Sequence, residues 1–264
     1  MQRYFIQLSY DGTAYHGWQM QENTLLTVQQ VLNEMLSKLL NEPISIMGCG
    51  RTDAGVHATE FFAHFDSRKT DLRDNADWWV FKFNRALPAD IAIQRIFPVH
   101  ERANVRFDAT ARTYKYYISR RKDPFRVNKA LYLFGDLNVD DMQKAAQVLF
   151  DYTDFTSFAR THTQNTTNNC TIYKAEWTEE EDGMLVFTIS ANRFLRNMVR
   201  AIVGTMLKVG KGKASVEDFK KIIESKDRTK AGLSALACGL YLVKVSYPES
   251  LLNGEEKNGR SPNA

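Results

Sequence analysis

The sequence predicts an α/β protein of two similar halves, each a small sheet flanked by helices on one side. Three observations predict it. Alternating apolar residues and helical spacings follow one another as β-α-β-β-α-β over about the first hundred residues. A loose repeat of that order begins near residue 108. At 264 residues, with 44% hydrophobic and 25% charged side chains, the chain is long enough for two cores and too apolar for wholesale disorder.

Tyr4, Ile6, Leu8 and Tyr10 alternate along a first strand, and Asp11-Gly12 supplies a turn. Thr27, with Gln30 three residues on, has the signature of a capping box. Val28, Val31, Leu32, Met35, Leu36 and Leu39 then recur at helical spacing until Asn41 and Pro43 stop the run. Strands are expected over 44–47 and 61–65, on either side of a loop bounded by Gly50 and Gly55. Ala76, Trp79, Val80, Phe83 and Leu87 mark a second helix, Pro88 ends it, and 91–97 closes the half. This is the order of a ferredoxin-like sheet.

The second half reads as a strand over 112–119, a helix over 139–150, strands over 171–177 and 184–191, and a helix over 194–209. Ser215 with Asp218 opens another helix, and 240–245 alternates as a last strand. The acidic run 179–182 before Gly183 reads as a hairpin turn. The expected organisation is an N-terminal half over 1–107 and a C-terminal half over 108–250. A tail over 251–264 is too polar to order itself.

No run approaches the roughly 18 apolar residues of a membrane span, and the N-terminus lacks a signal-peptide core. Cys49, Cys170 and Cys238 form no C-x-x-C pair, so a reducing cytoplasm and no membrane partner are expected. The five histidines show no metal-ligand spacing, so no metal is expected. Lysine plus arginine exceed the acids by 35 to 31, which permits a polyanionic partner without demanding one. Between Arg112 and Lys129, cations interleave with Tyr114, Tyr116, Tyr117 and Phe125, a mixture that can hold phosphates and stack on bases.

The segment richest in chemistry is Gly50-Arg51-Thr52-Asp53-Ala54-Gly55-Val56-His57-Ala58. It sets a cation, a carboxylate and an imidazole in one short loop. Arg51 beside Asp53 favours an ionised carboxylate, a candidate nucleophile or base; an ion pair that merely holds a turn accounts for the same residues. Cys49 and His57 flank Asp53 and admit a Cys-His hydrolase, which sequence proximity does not establish. On the expected helix over 194–209, Arg193, Arg196 and Arg200 fall at one-turn and two-turn spacing opposite an apolar stripe, a face suited to phosphates.

The loop, together with Tyr10-Asp11-Gly12, Tyr15-His16-Gly17-Trp18-Gln19, Asn84, Leu87-Pro88 and the 106–112 segment Arg-Phe-Asp-Ala-Thr-Ala-Arg, resembles the TruA family of tRNA pseudouridine synthases. Asp154-Phe155-Thr156-Ser157-Phe158, the 194–200 segment Phe-Leu-Arg-Asn-Met-Val-Arg and Gly239-Leu240-Tyr241-Leu242 extend that resemblance over almost the whole chain. The resemblance implies isomerisation of uridine to pseudouridine at positions 38 to 40 of the tRNA anticodon stem-loop, with no cofactor and no metal. Asp53 falls on the family's catalytic aspartate and Arg51 on the arginine beside it. Tyr114 falls on the tyrosine that stacks on the target base, and Leu240 on the leucine that lines the uracil pocket.

The resemblance further implies that the two sheets join into an extended, mostly antiparallel one with the active-site cleft between the halves, and that the protein is a homodimer. The rival reading is a non-catalytic RNA-binding protein, because ferredoxin-like sheets with aromatic and basic residues also recognise RNA without reaction.

Overall fold

The computed structural model describes residues 1–22, 26–160, 166–180 and 183–252. The chain packs as two compact units. One holds Met1–Thr52, Ala58–Thr110 and the chain from Val245 on; the other holds Asp53–His57 and Ala111–Lys244. Among the described residues, no helix is long and apolar enough to cross a membrane.

The first unit runs β1 (Gln2–Tyr10), α1 (Val28–Leu40), β2 (Met47–Gly48), β3 (His57–Ser67), α2 (Asp71–Asp74), α3 (Ala76–Ala86) and β4 (Ile91–Val99). Its strand order is β4-β1-β3, with β2 on β3, and all three pairings are antiparallel. That is the expected ferredoxin-like order. The alternation read in β1 buries Tyr4, Ile6, Leu8 and Tyr10, and α1 buries Val28, Leu32, Leu36 and Leu40. Thr27 caps α1 by accepting from the Gln30 N–H, a bond worth about 1 kcal/mol.

The strand expected over 44–47 is only Met47–Gly48. Ile44 and Ile46 are buried, but their N–H groups donate to Ser37 Oγ and Asn33 Oδ1 of α1. Apolar alternation therefore arises here from packing on a helix, with side chains in place of a strand partner. Gly48 has a steric reason to be glycine: a Cβ there would run into the Trp18 indole, which stacks on Phe61 with ring centroids 4.0 Å apart.

The second unit runs β5 (Ala111–Ser119), β6 (Leu131–Tyr132), α4 (Val139–Val148), β7 (Ile172–Glu179), β8 (Met184–Ala191), α5 (Met198–Gly210), α6 (Val216–Glu224) and β9 (Leu240–Ser246), whose last two residues belong to the first unit. Its strand order is β9-β5-β8-β7, so the sequence repeat is a repeat of topology as well. β5 and β7 both pair antiparallel with β8, and the short β6 pairs parallel with β5. Tyr116, Phe155, Phe158, Phe187 and Phe219 fill the core under α4, α5 and α6. Ser215 and Asp218 form the reciprocal capping box that opens α6.

The helix expected over 194–209 begins four residues later, at Met198. Asn197 takes a left-handed conformation, φ 66°, that separates 194–196 from the helix. Arg193 and Arg196 therefore lie in the preceding loop, and the three-arginine helical face does not exist. After β9 the described residues close with α7 (Glu249–Leu252), where Leu251 is buried; residues 253–264 of the expected tail lie outside the described residues. So do 161–165 and the acidic pair 181–182.

Candidate active site

The loop that carries the candidate carboxylate starts from a fixed point. Thr52 is buried; its hydroxyl meets the Tyr10 hydroxyl at 2.8 Å and its carbonyl accepts the Trp18 N–H at 3.2 Å. Two more residues of the first unit that matched the family pattern brace its frame. The Tyr15 hydroxyl donates to Asp90 at 2.6 Å, and the Asn84 amide donates to and accepts from the Ile93 backbone. Arg51, one residue before Thr52, is exposed.

Past Thr52 the chain turns tightly. The Val56 N–H returns to the Asp53 carbonyl at 3.1 Å, and Gly55 takes φ +76°, a conformation that favours glycine. A Cβ on Gly55 would also stand 3.3 Å from the Ala237 methyl, so the turn lies against the strip that leads into β9. His57 holds the far end of the turn. Its ring stacks on Tyr241, centroids 4.4 Å apart, and Nε2 lies 3.0 Å from the Asn128 carbonyl. Burial lowers its pKa, and hydrogen bonds to the backbones of Asn128 and Cys238 work against that shift. These contacts make His57 a brace of the loop. Cys49 is buried at the loop's other end, with its N–H on the Phe62 carbonyl.

Asp53 is 21% exposed and faces two guanidinium groups. Arg200 Nη1 lies 3.2 Å from Oδ2, and Arg196 Nε lies 3.7 Å from Oδ1. The two arginines differ in freedom. Arg200, on the first turn of α5, also donates from Nε to the Ala235 carbonyl at 2.7 Å, while its own carbonyl accepts the Ala235 N–H at 2.9 Å. It is thereby fixed in place. Arg196, with a side chain 46% exposed, is held by the backbone bond from Arg160 N–H to its carbonyl and keeps a solvent-facing guanidinium. Partly exposed pairs of this kind add little stability, so their weight lies in aiming the carboxylate.

Two of the three arginines read as phosphate contacts thus stand at the carboxylate itself. Arg193 holds its N–H on Asn192 Oδ1 at 2.8 Å, outside that pair. Tyr114, in the middle of β5, is half-buried and meets Phe194 edge-on, centroids 5.2 Å apart at 90°. Leu240, the first residue of β9, is buried in the same core that Tyr114 packs against. The preceding Gly239 leaves no room for a side chain, because a Cβ would stand 2.8 Å from both the Tyr116 ring and the Tyr117 carbonyl.

The pairing of Asp53 with Arg200 spans 147 positions, and no local spacing announces it. The only sequence signal was that both residues fall inside segments of the family pattern. Among the described residues, no group of three or more His, Cys, Asp or Glu side chains is placed to hold a metal ion.

The family model described as tRNA pseudouridine synthase matches residues 7–108 and 145–248 of this chain. The chain is 53% identical to the tRNA pseudouridine synthase A of Bacteroides thetaiotaomicron, across 97% of this chain and 95% of that one. It is 52% identical to that of Parabacteroides distasonis, across 97% and 100%, and 41% identical to that of Ruminiclostridium cellulolyticum, across 94% and 100%. The protein is therefore an enzyme of the isomerase class. It belongs to the tRNA pseudouridine synthase family.

Proposed function

We propose that this enzyme isomerises uridine to pseudouridine at positions 38 to 40 of the tRNA anticodon stem-loop, with Asp53 as the reacting carboxylate and no cofactor. The observation that carries the reading is the grip of Arg200 and Arg196 on the two oxygens of Asp53. A carboxylate fixed at the tip of a short turn is presented for attack with little freedom left to lose.

The reaction breaks the bond from C1′ to N1, turns the uracil over, and forms a bond from C1′ to C5. The C5 proton leaves and N1 gains one, so no redox partner is needed. Asp53 serves this by attacking C1′, by adding to C6, or by acting as a base on a glycal route. Arg200 is the positioning residue. Arg196, with its solvent-facing guanidinium, and Arg193 answer the phosphates.

Tyr114 stacks on the target base and assists departure of the C5 proton, while Leu240 lines the uracil pocket. Arg51, exposed beside Thr52, occupies the space that the extruded nucleotide leaves. The protein acts in the cytoplasm as a homodimer, without a membrane partner.

The deciding experiment measures tritium release from C5-labelled uridine in whole tRNA by the unaltered protein and by Asp53→Asn, with the modified positions mapped. Release by the unaltered protein alone, at positions 38 to 40, is the expected result. Release by both overturns the role of Asp53. Tight binding without release by either overturns the reaction.

A further inference from the structure

Residues 231–238 make a strip without helix or strand until its last two residues, yet its backbone is fixed along its length. The Gly232 N–H donates to Thr205 Oγ1 at 2.9 Å. Ser234 Oγ accepts from the Asn197 amide at 2.6 Å and from Arg228 at 3.0 Å. Ala235 is tied to Arg200 by both of its backbone groups, and the Leu236 carbonyl accepts the Tyr116 hydroxyl at 2.8 Å. Backbone lies directly on backbone: a Cβ on Gly204 would fall on the Leu233 carbonyl, and one on Gly232 would stand 2.9 Å from the Gly204 carbonyl.

From this rigid strip two side chains project into solvent, and both are leucine. Leu233 is 90% exposed and Leu236 is 60% exposed, whereas the remaining residues of 231–240 are buried or half-buried. A lone exposed leucine needs no explanation. Two on one anchored strip, on which Ala235 holds the arginine that faces Asp53 and the Ala237 methyl would stand 3.3 Å from a Cβ on Gly55, are placed differently. The chain leading into the strip carries two cations, Arg228, which bonds to Ser234 and Gly232, and the exposed Lys230, against one carboxylate, Asp227, which accepts from Thr229. That combination of apolar ends among cations suits nucleobases on a phosphate backbone, and it is unfavourable for an apolar protein face.

We propose that Leu233 and Leu236 form an apolar ledge that packs against the nucleobases flanking the extruded uridine and offsets the stacking they lose. The proposal rests on the reading of Asp53 given above. Extruding a paired base breaks stacking, and apolar side chains inserted at base steps are a general means of offsetting that loss. Rigidity of the strip matters here, because a ledge on a mobile loop would yield before the stack did.

The test compares two whole-tRNA transcripts, one with the target uridine in an intact base pair and one with a mismatch opposite it. The proteins are the unaltered chain, Leu233→Ser, and the double variant Leu233→Ser with Leu236→Ser. On the paired substrate kcat/KM is expected to fall about tenfold for the double variant, the size of one lost aliphatic contact. On the mismatched substrate, where the base is already loosened, the fall should be less than about twofold.

An equal fall on both substrates, or none on either, overturns the ledge. A change in sedimentation mass without a substrate difference assigns the leucines to a second copy of the chain and overturns it as well. Failure of the unaltered protein on both transcripts is a different result: it removes the isomerase reading and the ledge together. Melting temperatures close to that of the unaltered chain are expected, since neither side chain carries the strip's hydrogen bonds.

Discussion

Arg200 joins Asp53 to the backbone of Ala235, with Nη1 3.2 Å from the carboxylate and Nε 2.7 Å from the carbonyl. One guanidinium plane thus sets the position of a loop carboxylate against a strip of chain otherwise fixed on α5. A point charge on a flexible stem does not reproduce that fork.

Arg200→Lys should therefore be nearly as damaging as Arg200→Ala. Each is expected to lower kcat for pseudouridine formation by about a hundredfold, the scale of a misplaced reacting group. Arg196→Ala, which removes a more exposed and more distant partner, should raise KM more than it lowers kcat. Full kcat in Arg200→Lys would show that charge alone suffices.

Gly204→Ala tests the seat of the strip. Its Cβ would fall on the Leu233 carbonyl, which is backbone and cannot swing aside. A loss of about 3 kcal/mol is expected in chemical denaturation, the upper end for overpacking. A stability loss below about 1 kcal/mol would mean that the strip shifts at little cost.

Gly55→Ala should separate activity from stability. The left-handed conformation costs an alanine about 1–2 kcal/mol, and its methyl would crowd Ala237 at 3.3 Å. A modest drop in melting temperature with a much larger drop in kcat is the expected pair of results. Proportionate losses would leave the turn without a special part in aiming Asp53.

His64 gives the protein a pH dependence of known sign. Burial, followed by the Arg3 cation, pushes its pKa from 6.5 down to about 4, while Asp66 and Asp108 oppose the shift. Its Nδ1 accepts the Val105 N–H at 3.2 Å, a bond that a doubly protonated ring loses. In the unfolded chain the ring takes up a proton near 6.5, and in the folded chain only near 4. Its contribution is complete above the higher value and is lost as pH falls from there toward the lower. His57, also lowered by burial, acts in the same sense. Melting temperature should fall over that interval, and His64→Gln should flatten the fall; an unchanged slope would assign it to His57.

Much of the frame was legible because local chemistry and tertiary packing agree. Thr27 caps α1, Ser215 and Asp218 box α6, and the alternating Tyr4, Ile6, Leu8 and Tyr10 of β1 are all buried, with Phe5 buried between them. What misled was apolar spacing that is real but has another cause. Leu195 is buried and in phase with Met198, Val199 and Ile202, yet Asn197 breaks the helix between them. Ile44 and Ile46 alternate like a strand while bonded to α1. At the candidate site, loop composition singled out Asp53, but its partners come from α5 and the loop before it, and only folding brings them there.

The repeat of topology stops at one connection. Between the second and third strands of the first half, residues 49–56 make room for the aspartate turn; between β7 and β8 the corresponding connection is only 180–183, closed by the bond from Gly183 N–H to the Glu180 carbonyl. Symmetry of the frame is therefore not carried into the chemistry. In sequence the carboxylate falls between strands of the first repeat, yet its turn, Asp53–His57, packs within the second unit beside Arg196 and Arg200. Among the described residues the duplicated frame therefore carries one such carboxylate turn and not two equivalent ones.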